Sequence, residues 1–104
     1  MPIRQFDVFV NPVRSARAMK PFLMCIQHHH LDHLSTRLVA PLLPQVRGEL
    51  TRLNPVFTIE GQRVFLDPTN LSAIRAEYLR NPVVNLDPER YRIVSALDLV
   101  FTGV

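Results

Sequence analysis

Four histidines, His28, His29, His30 and His33, crowd into six residues with Asp32 among them. Neutral imidazole is a common metal ligand, and a histidine beside a carboxylate is a common acid–base pair. The spacing works against both uses. In an extended segment adjacent side chains point to opposite sides, so neighbouring histidines do not converge on one ion. Cys25 stands outside the cluster, and no further histidine elsewhere completes a ligand set. The segment therefore predicts an exposed turn, with no metal and no cofactor. His33, Asp32 and Arg37 are the nearest approach to a nuclease set, and they form no recognisable one. Gly48, Gly61 and Gly103 are too dispersed for a phosphate-cradling loop. No catalytic residue is assigned, and the expectation is a protein that acts by binding.

Charge narrows the choice of partner. Lysine and arginine number 12 against 9 acidic residues, for a net charge of +3, and Lys20 is the only lysine. Arginine suits planar, bidentate contacts with carboxylate or phosphate, so the balance admits an acidic protein or a nucleic acid. The group Arg75, Arg80, Arg90 and Arg92 has only Tyr78 and Tyr91 as interleaved aromatics, a thin nucleic-acid signature. Arg90 and Arg92, with Glu89, are expected to face water. Cys25 is the lone cysteine and sits in the apolar run Phe22–Ile26. A buried, inert thiol is expected, consistent with a reducing cytosol. No stretch is long and apolar enough to span a bilayer, and the N-terminus has no leader-like apolar region. The expected location is cytoplasmic.

The elements that must carry these residues are short. Phe6, Val8 and Val10 alternate with Gln5 and Asp7, the period of a strand, and Asn11-Pro12 stops it. Val13–Lys20 is expected to be a loop and Phe22–Ile26 a buried strand. Thr36–Ala40 is the return strand, closed by Pro41. Leu53–Ile59 and Arg63–Leu66 form a hairpin about Glu60-Gly61, where glycine takes a positive φ. Asp67-Pro68-Thr69-Asn70 is a turn. Leu71–Arg80 is consistent with strand or helix, and Asn81–Val84 with a short extended piece. The tail reads as a helix with Asp87 at the N-cap and Pro88 at N1. Its packed face is Ile93, Ala96, Leu97, Val100 and Phe101, and Gly103 ends it. Short strands followed by one helix predict a mainly β (α+β) single domain over residues 1–104: a small antiparallel barrel or sheet with the helix packed on it.

The order of these landmarks resembles the CcdB family of toxins. Gln5-Phe6-Asp7-Val8-Phe9 resembles that family's opening strand, and Phe22–Gln27 its second. Arg37-Leu38-Val39-Ala40-Pro41-Leu42 is similar to its apolar strand ending in Pro-Leu. Leu53-Asn54-Pro55-Val56-Phe57-Thr58-Ile59 resembles its Leu-x-Pro-Val-x-x-Ile strand. Leu99-Val100-Phe101-Thr102-Gly103-Val104 resembles its close, Leu-Met-Phe-Trp-Gly-Ile. The resemblance implies an SH3-like β-barrel homodimer. It implies the toxin of a type II toxin–antitoxin pair that binds the DNA gyrase A subunit and traps it on cleaved DNA. A cognate antitoxin with an acidic disordered tail neutralises such a toxin and carries it to operator DNA only indirectly. The target contact maps onto Thr102, Gly103 and Val104, with Thr102 in the place of the family's tryptophan. The exchange removes a large ring of the kind that anchors interfaces. Two alternatives stand beside this reading. One is an mRNA endoribonuclease of the Kid/MazF type on the same fold; the other is a CcdB-like module that keeps its antitoxin but has lost gyrase.

Overall fold

The computed structural model describes residues 2–45 and 52–104, so Gly48 lies outside the described residues. Their elements are β1 (Asp7–Val10), β2 (Phe22–Cys25), β3 (Thr36–Leu43), β4 (Val56–Ile59), β5 (Gln62–Leu66), β6 (Ser72–Arg75), β7 (Val84–Asn85) and α1 (Arg90–Thr102). The strands form one antiparallel sheet in the order β4-β5-β3-β2-β1-β7, with β6 also on β3. It curls into a nearly closed barrel with the helix at the C-terminal end. The mainly β fold expected from the strand pattern is the one found.

Period-two alternation explains why the central strands are apolar throughout. Val8, Met24 and Ala40 face the cluster inside the barrel, while their neighbours Phe9, Leu23, Cys25 and Val39 face a second cluster closed by Ile3 and Leu79. Both faces of the β1–β2–β3 ribbon are thus covered, so every residue of β2 is buried. The single thiol, Cys25, belongs to the second cluster.

Several boundaries differ from the sequence reading: β2 ends at Cys25, β4 begins only at Val56, β5 begins at Gln62, and the first and third strands differ for reasons the backbone shows. The first strand begins at Asp7 because Phe6 takes φ 70°, which turns its ring into the inner cluster while its main chain still donates to the Cys25 carbonyl and accepts from the Leu86 N–H. The third does not end at Pro41 but continues to Leu43. β3 pairs with β6 as far as Val39↔Ser72 and with β5 from Leu42↔Leu66. Pro41 falls in the changeover, where a missing N–H breaks no ladder bond, and its carbonyl still accepts from the Asp67 N–H at 3.0 Å. The hairpin turn is as expected: Glu60 and Gly61 have φ 51° and 78°, the pair of positive angles that a tight hairpin requires. The ambiguous stretch after Leu71 resolves into β6 followed by one tight helical turn, Ala76–Tyr78.

The helix ends at Gly103 as expected, but its start and its packed face differ from expectation. A tight turn, Asp87–Glu89, precedes it, and the side chain that accepts from its first N–H is Asn85, whose Oδ1 takes the Asp87 N–H at 2.8 Å. Asp87 is not the cap; its carboxylate pairs with Arg90 at 3.0 Å. Ile93 and Ala96 are fully buried and Leu97 packs beside them. Phe101, expected in the core, is 66% exposed. Helical periodicity fixes which side a residue faces, not whether there is sheet opposite it. The inner cluster that holds Ile93, Ala96 and Leu97 includes neither Val100 nor Phe101.

Candidate functional site

The C-terminal tail grows out of the unsupported end of α1. Thr102 is still helical, and its hydroxyl donates to the Asp98 carbonyl at 2.8 Å. Gly103 takes φ 78° and its N–H closes the last turn on the Leu99 carbonyl at 3.2 Å. This left-handed cap is the reason for glycine here: a side chain at that φ would be strained, although nothing lies within 4 Å of the position. Thr102 is therefore the last residue of the helix. Phe101 and Val104 are large, apolar and exposed on either side of the cap. Phe101 extends the predicted Thr102, Gly103 and Val104 group. Sequence reasoning assigned it to the core because its spacing continues the buried stripe.

The histidines form a cluster, but one turned on itself. His28 precedes a tight turn, His29–Leu31, and its Nδ1 accepts from the His30 N–H at 3.0 Å. The His28 ring stacks against His29 and leans on His30, each at 4.2 Å between ring centres. Its pKa lies below the ordinary 6.5, first through desolvation and then through the like charges of His29, His30, Arg90 and Arg4. Among the described residues no group of three or more histidine, cysteine, aspartate or glutamate side chains is placed to hold a metal.

Arg37 is not at an active surface. It is buried, and its guanidinium donates to the main-chain carbonyls of Leu34, Thr36 and Asp32. It clamps the histidine turn to β3, and it reaches Asp32 through the main chain, not the carboxylate. Arg90 and Arg92 do not simply face water either. Arg90 lies over the Phe6 ring at 5.1 Å, and Arg92 lies over Phe57 at 4.8 Å while donating to the Val56 carbonyl at 2.6 Å. Both pin the start of α1 to the barrel. Burial raises the pKa of the Cys25 thiol, which keeps it protonated and unreactive.

The CcdB protein family model matches residues 5–103. The chain belongs to the CcdB family. It is thus a toxin of the toxin–antitoxin class, and the match takes in Thr102 and Gly103. Among solved structures the CcdB-family chain is similar to the Mycobacterium tuberculosis toxin MazF-mt6, with 18% identity and a TM-score of 0.66. That match covers 77% of this chain and 84% of the other. At that identity the likeness shows a shared barrel. No curated protein sequence matches the chain. Among the described residues no helix is long and apolar enough to cross a membrane.

Proposed function

We propose that this CcdB-family toxin acts as a homodimer that binds the DNA gyrase A subunit through its C-terminal tail and has no catalytic site of its own. The observation that carries this is the exposed apolar end of α1. Phe101 and Val104 lie beyond the packed part of the helix, on either side of the Gly103 cap that closes its last turn, and contribute little to the core. Exposed apolar residues on a rigid support are the usual form of an interface anchor. The neutralising partner is an antitoxin with an acidic disordered segment, which suits a chain of net charge +3. Location in the cytoplasm follows from that target.

The endoribonuclease reading draws support from the likeness to MazF-mt6 alone. Its best candidates are not assembled, since Arg37 is buried as a main-chain clamp. One experiment separates the readings. Purified protein is tested for gyrase-dependent DNA cleavage and for cleavage of a long RNA. Wild type, a variant lacking Thr102, Gly103 and Val104, and Thr102→Trp are compared. The expected result is gyrase-dependent cleavage by wild type, none by the deletion, and a stronger effect from Thr102→Trp, because a tryptophan anchor contributes ~2 kcal/mol or more at an interface centre. Gyrase cleavage that survives the deletion overturns the tail as the contact. RNA cleavage without gyrase overturns the reading itself.

A further inference from the structure

A second groove, away from the tail, has an arrangement that gyrase binding does not use. It encloses about 480 Å³ between the β1–β2 connection and the turn after β6, and is lined by Val10, Pro12, Arg17, Glu77, Tyr78 and Arg80. We propose that this groove binds single-stranded nucleic acid, with Arg17 and Arg80 on the phosphates and Tyr78 under a base.

The two arginines are held alike. Arg17 donates through Nε to the Asn11 carbonyl at 2.6 Å, and Arg80 donates through Nε to the Glu77 carbonyl at 3.0 Å. Each guanidinium is thereby tied to the main chain by one hydrogen bond, and among the described residues its two terminal nitrogens have no hydrogen-bond partner. That leaves the end-on fork of each group for a bidentate anion. The support under Arg17 is itself fixed. Asn11 is buried, its amide donates to the Lys20 carbonyl at 2.9 Å, and its Oδ1 accepts from the Val13 N–H at 2.9 Å. An arginine tethered before binding has less side-chain freedom to lose on meeting its ligand.

The other lining groups distinguish a nucleotide from an acidic peptide. Tyr78 is 57% exposed, an open aromatic face of the kind on which bases stack. Val10 and Pro12 give an apolar wall beside it. The Glu77 carboxylate, balanced by Arg75 at 2.9 Å, is an acceptor that a base N–H, such as the N3–H of uracil or thymine, can use and an acidic side chain cannot. The contrast with the larger groove beside α1 is instructive. Its Arg92 is already engaged by the Val56 carbonyl and by Glu89, so it has less to offer a phosphate. The site stands whether or not the tail binds gyrase.

The test uses the full chain and fluorescein-labelled oligo-U RNA and oligo-dT DNA of ~8 nucleotides, within the span of small single-strand sites. Binding is read by anisotropy over a salt series. Wild type is expected to bind, with affinity falling as salt rises. Arg17→Ala and Arg80→Ala should each weaken binding ~10-fold, as losing a charged hydrogen bond does. Together they should flatten the slope of log affinity against log salt by ~1.4, two phosphate contacts at ~0.7 each on a single strand. Tyr78→Ala should lose ~10-fold and Tyr78→Phe almost nothing, since stacking needs the ring and not the hydroxyl. Arg63→Ala, on β5, is the control and should bind as wild type. Equal binding of RNA and DNA, or a preference for RNA through its 2′-hydroxyl, both support the site. The proposal is overturned if neither oligonucleotide binds at low salt, or if the double arginine variant, shown folded by circular dichroism, binds unchanged. It is also overturned if poly-glutamate competes as well as oligo-dT while Tyr78→Ala has no effect, because the groove is then a site for an acidic peptide.

Discussion

Two alanine substitutions on α1, one at Ile93 and one at Phe101, separate the part of the helix that holds the barrel from the part that projects. Ile93 is fully buried in the inner cluster. Ile93→Ala removes core volume that rigid strands cannot refill, at a cost of ~2–5 kcal/mol. Each kcal/mol moves the melting temperature of a domain this size by ~4–8 °C, so the variant should melt at least ~8 °C lower. Phe101 is 66% exposed, so about a third of its ring area is covered. A third of ~200 Å² is ~70 Å², and at ~25 cal/mol per Å² that is ~1.7 kcal/mol. The figure is a ceiling, because the unfolded chain also hides part of that ring. Phe101→Ala should therefore melt at most ~7–14 °C below wild type, and above Ile93→Ala, while losing most of its gyrase affinity. Calorimetry of both variants at one protein concentration, with gyrase-dependent cleavage below the lower melting point, gives the comparison. If Phe101→Ala loses as much stability as Ile93→Ala, the end of α1 is packed and the separation of tail from core is wrong.

Two further outcomes follow from the histidine turn. The folded state keeps His28 neutral below its ordinary pKa, so the unfolded chain takes up the proton first as pH falls through 6.5; stability is complete above that value and declines below it. Urea midpoints from pH ~8 to ~5 should fall less steeply for His28→Gln than for wild type, and identical slopes would remove His28 as the cause. Arg37→Ala leaves the carbonyls of Asp32, Leu34 and Thr36 without their donor and should cost ~2 kcal/mol or more. Arg37→Lys should recover only part of it, since one ammonium cannot reproduce a guanidinium's fixed spread of donors, and limited proteolysis near Leu34 should rise in both variants.

The barrel was legible in the sequence because alternation and turn chemistry are local. Val8 and Phe9 fall on opposite faces by period alone, and Glu60-Gly61 marks its hairpin without reference to anything distant. What was not legible depends on neighbours remote in sequence. Pro41 stays within a strand because β6 gives way to β5 at that point. Asn85, not Asp87, caps the helical turn because β7 places it there. Arg37 reads as the cation of a loose group with His33 and Asp32 until the turn folds its three carbonyls around it. The tail was placed by resemblance, but the exposure of Phe101 was hidden by the very periodicity that identified the helix. The groove under Arg17 and Arg80 left only a weak trace, arginines near a tyrosine, because its two walls are more than sixty residues apart.

The separation between frame and surface explains how one barrel is built by two toxin sequences that share 18% identity. The likeness to MazF-mt6 at 18% identity means that few side chains are shared while the backbone path is kept. A barrel of this size asks of its sequence only apolar residues at alternate positions and the right turns, a demand that many sequences meet. A target contact asks for much more, and the proposed one lies where the frame is indifferent to it. Thr102 closes a bond with Asp98 within its own helical turn, and the Gly103 cap depends on backbone φ and not on the neighbouring side chain. Exchanging the residue at position 102 therefore alters what the tail presents without altering how the tail is held. On the proposed reading, Phe101 and Val104 are the exposed apolar groups that a target of the α1 end meets first.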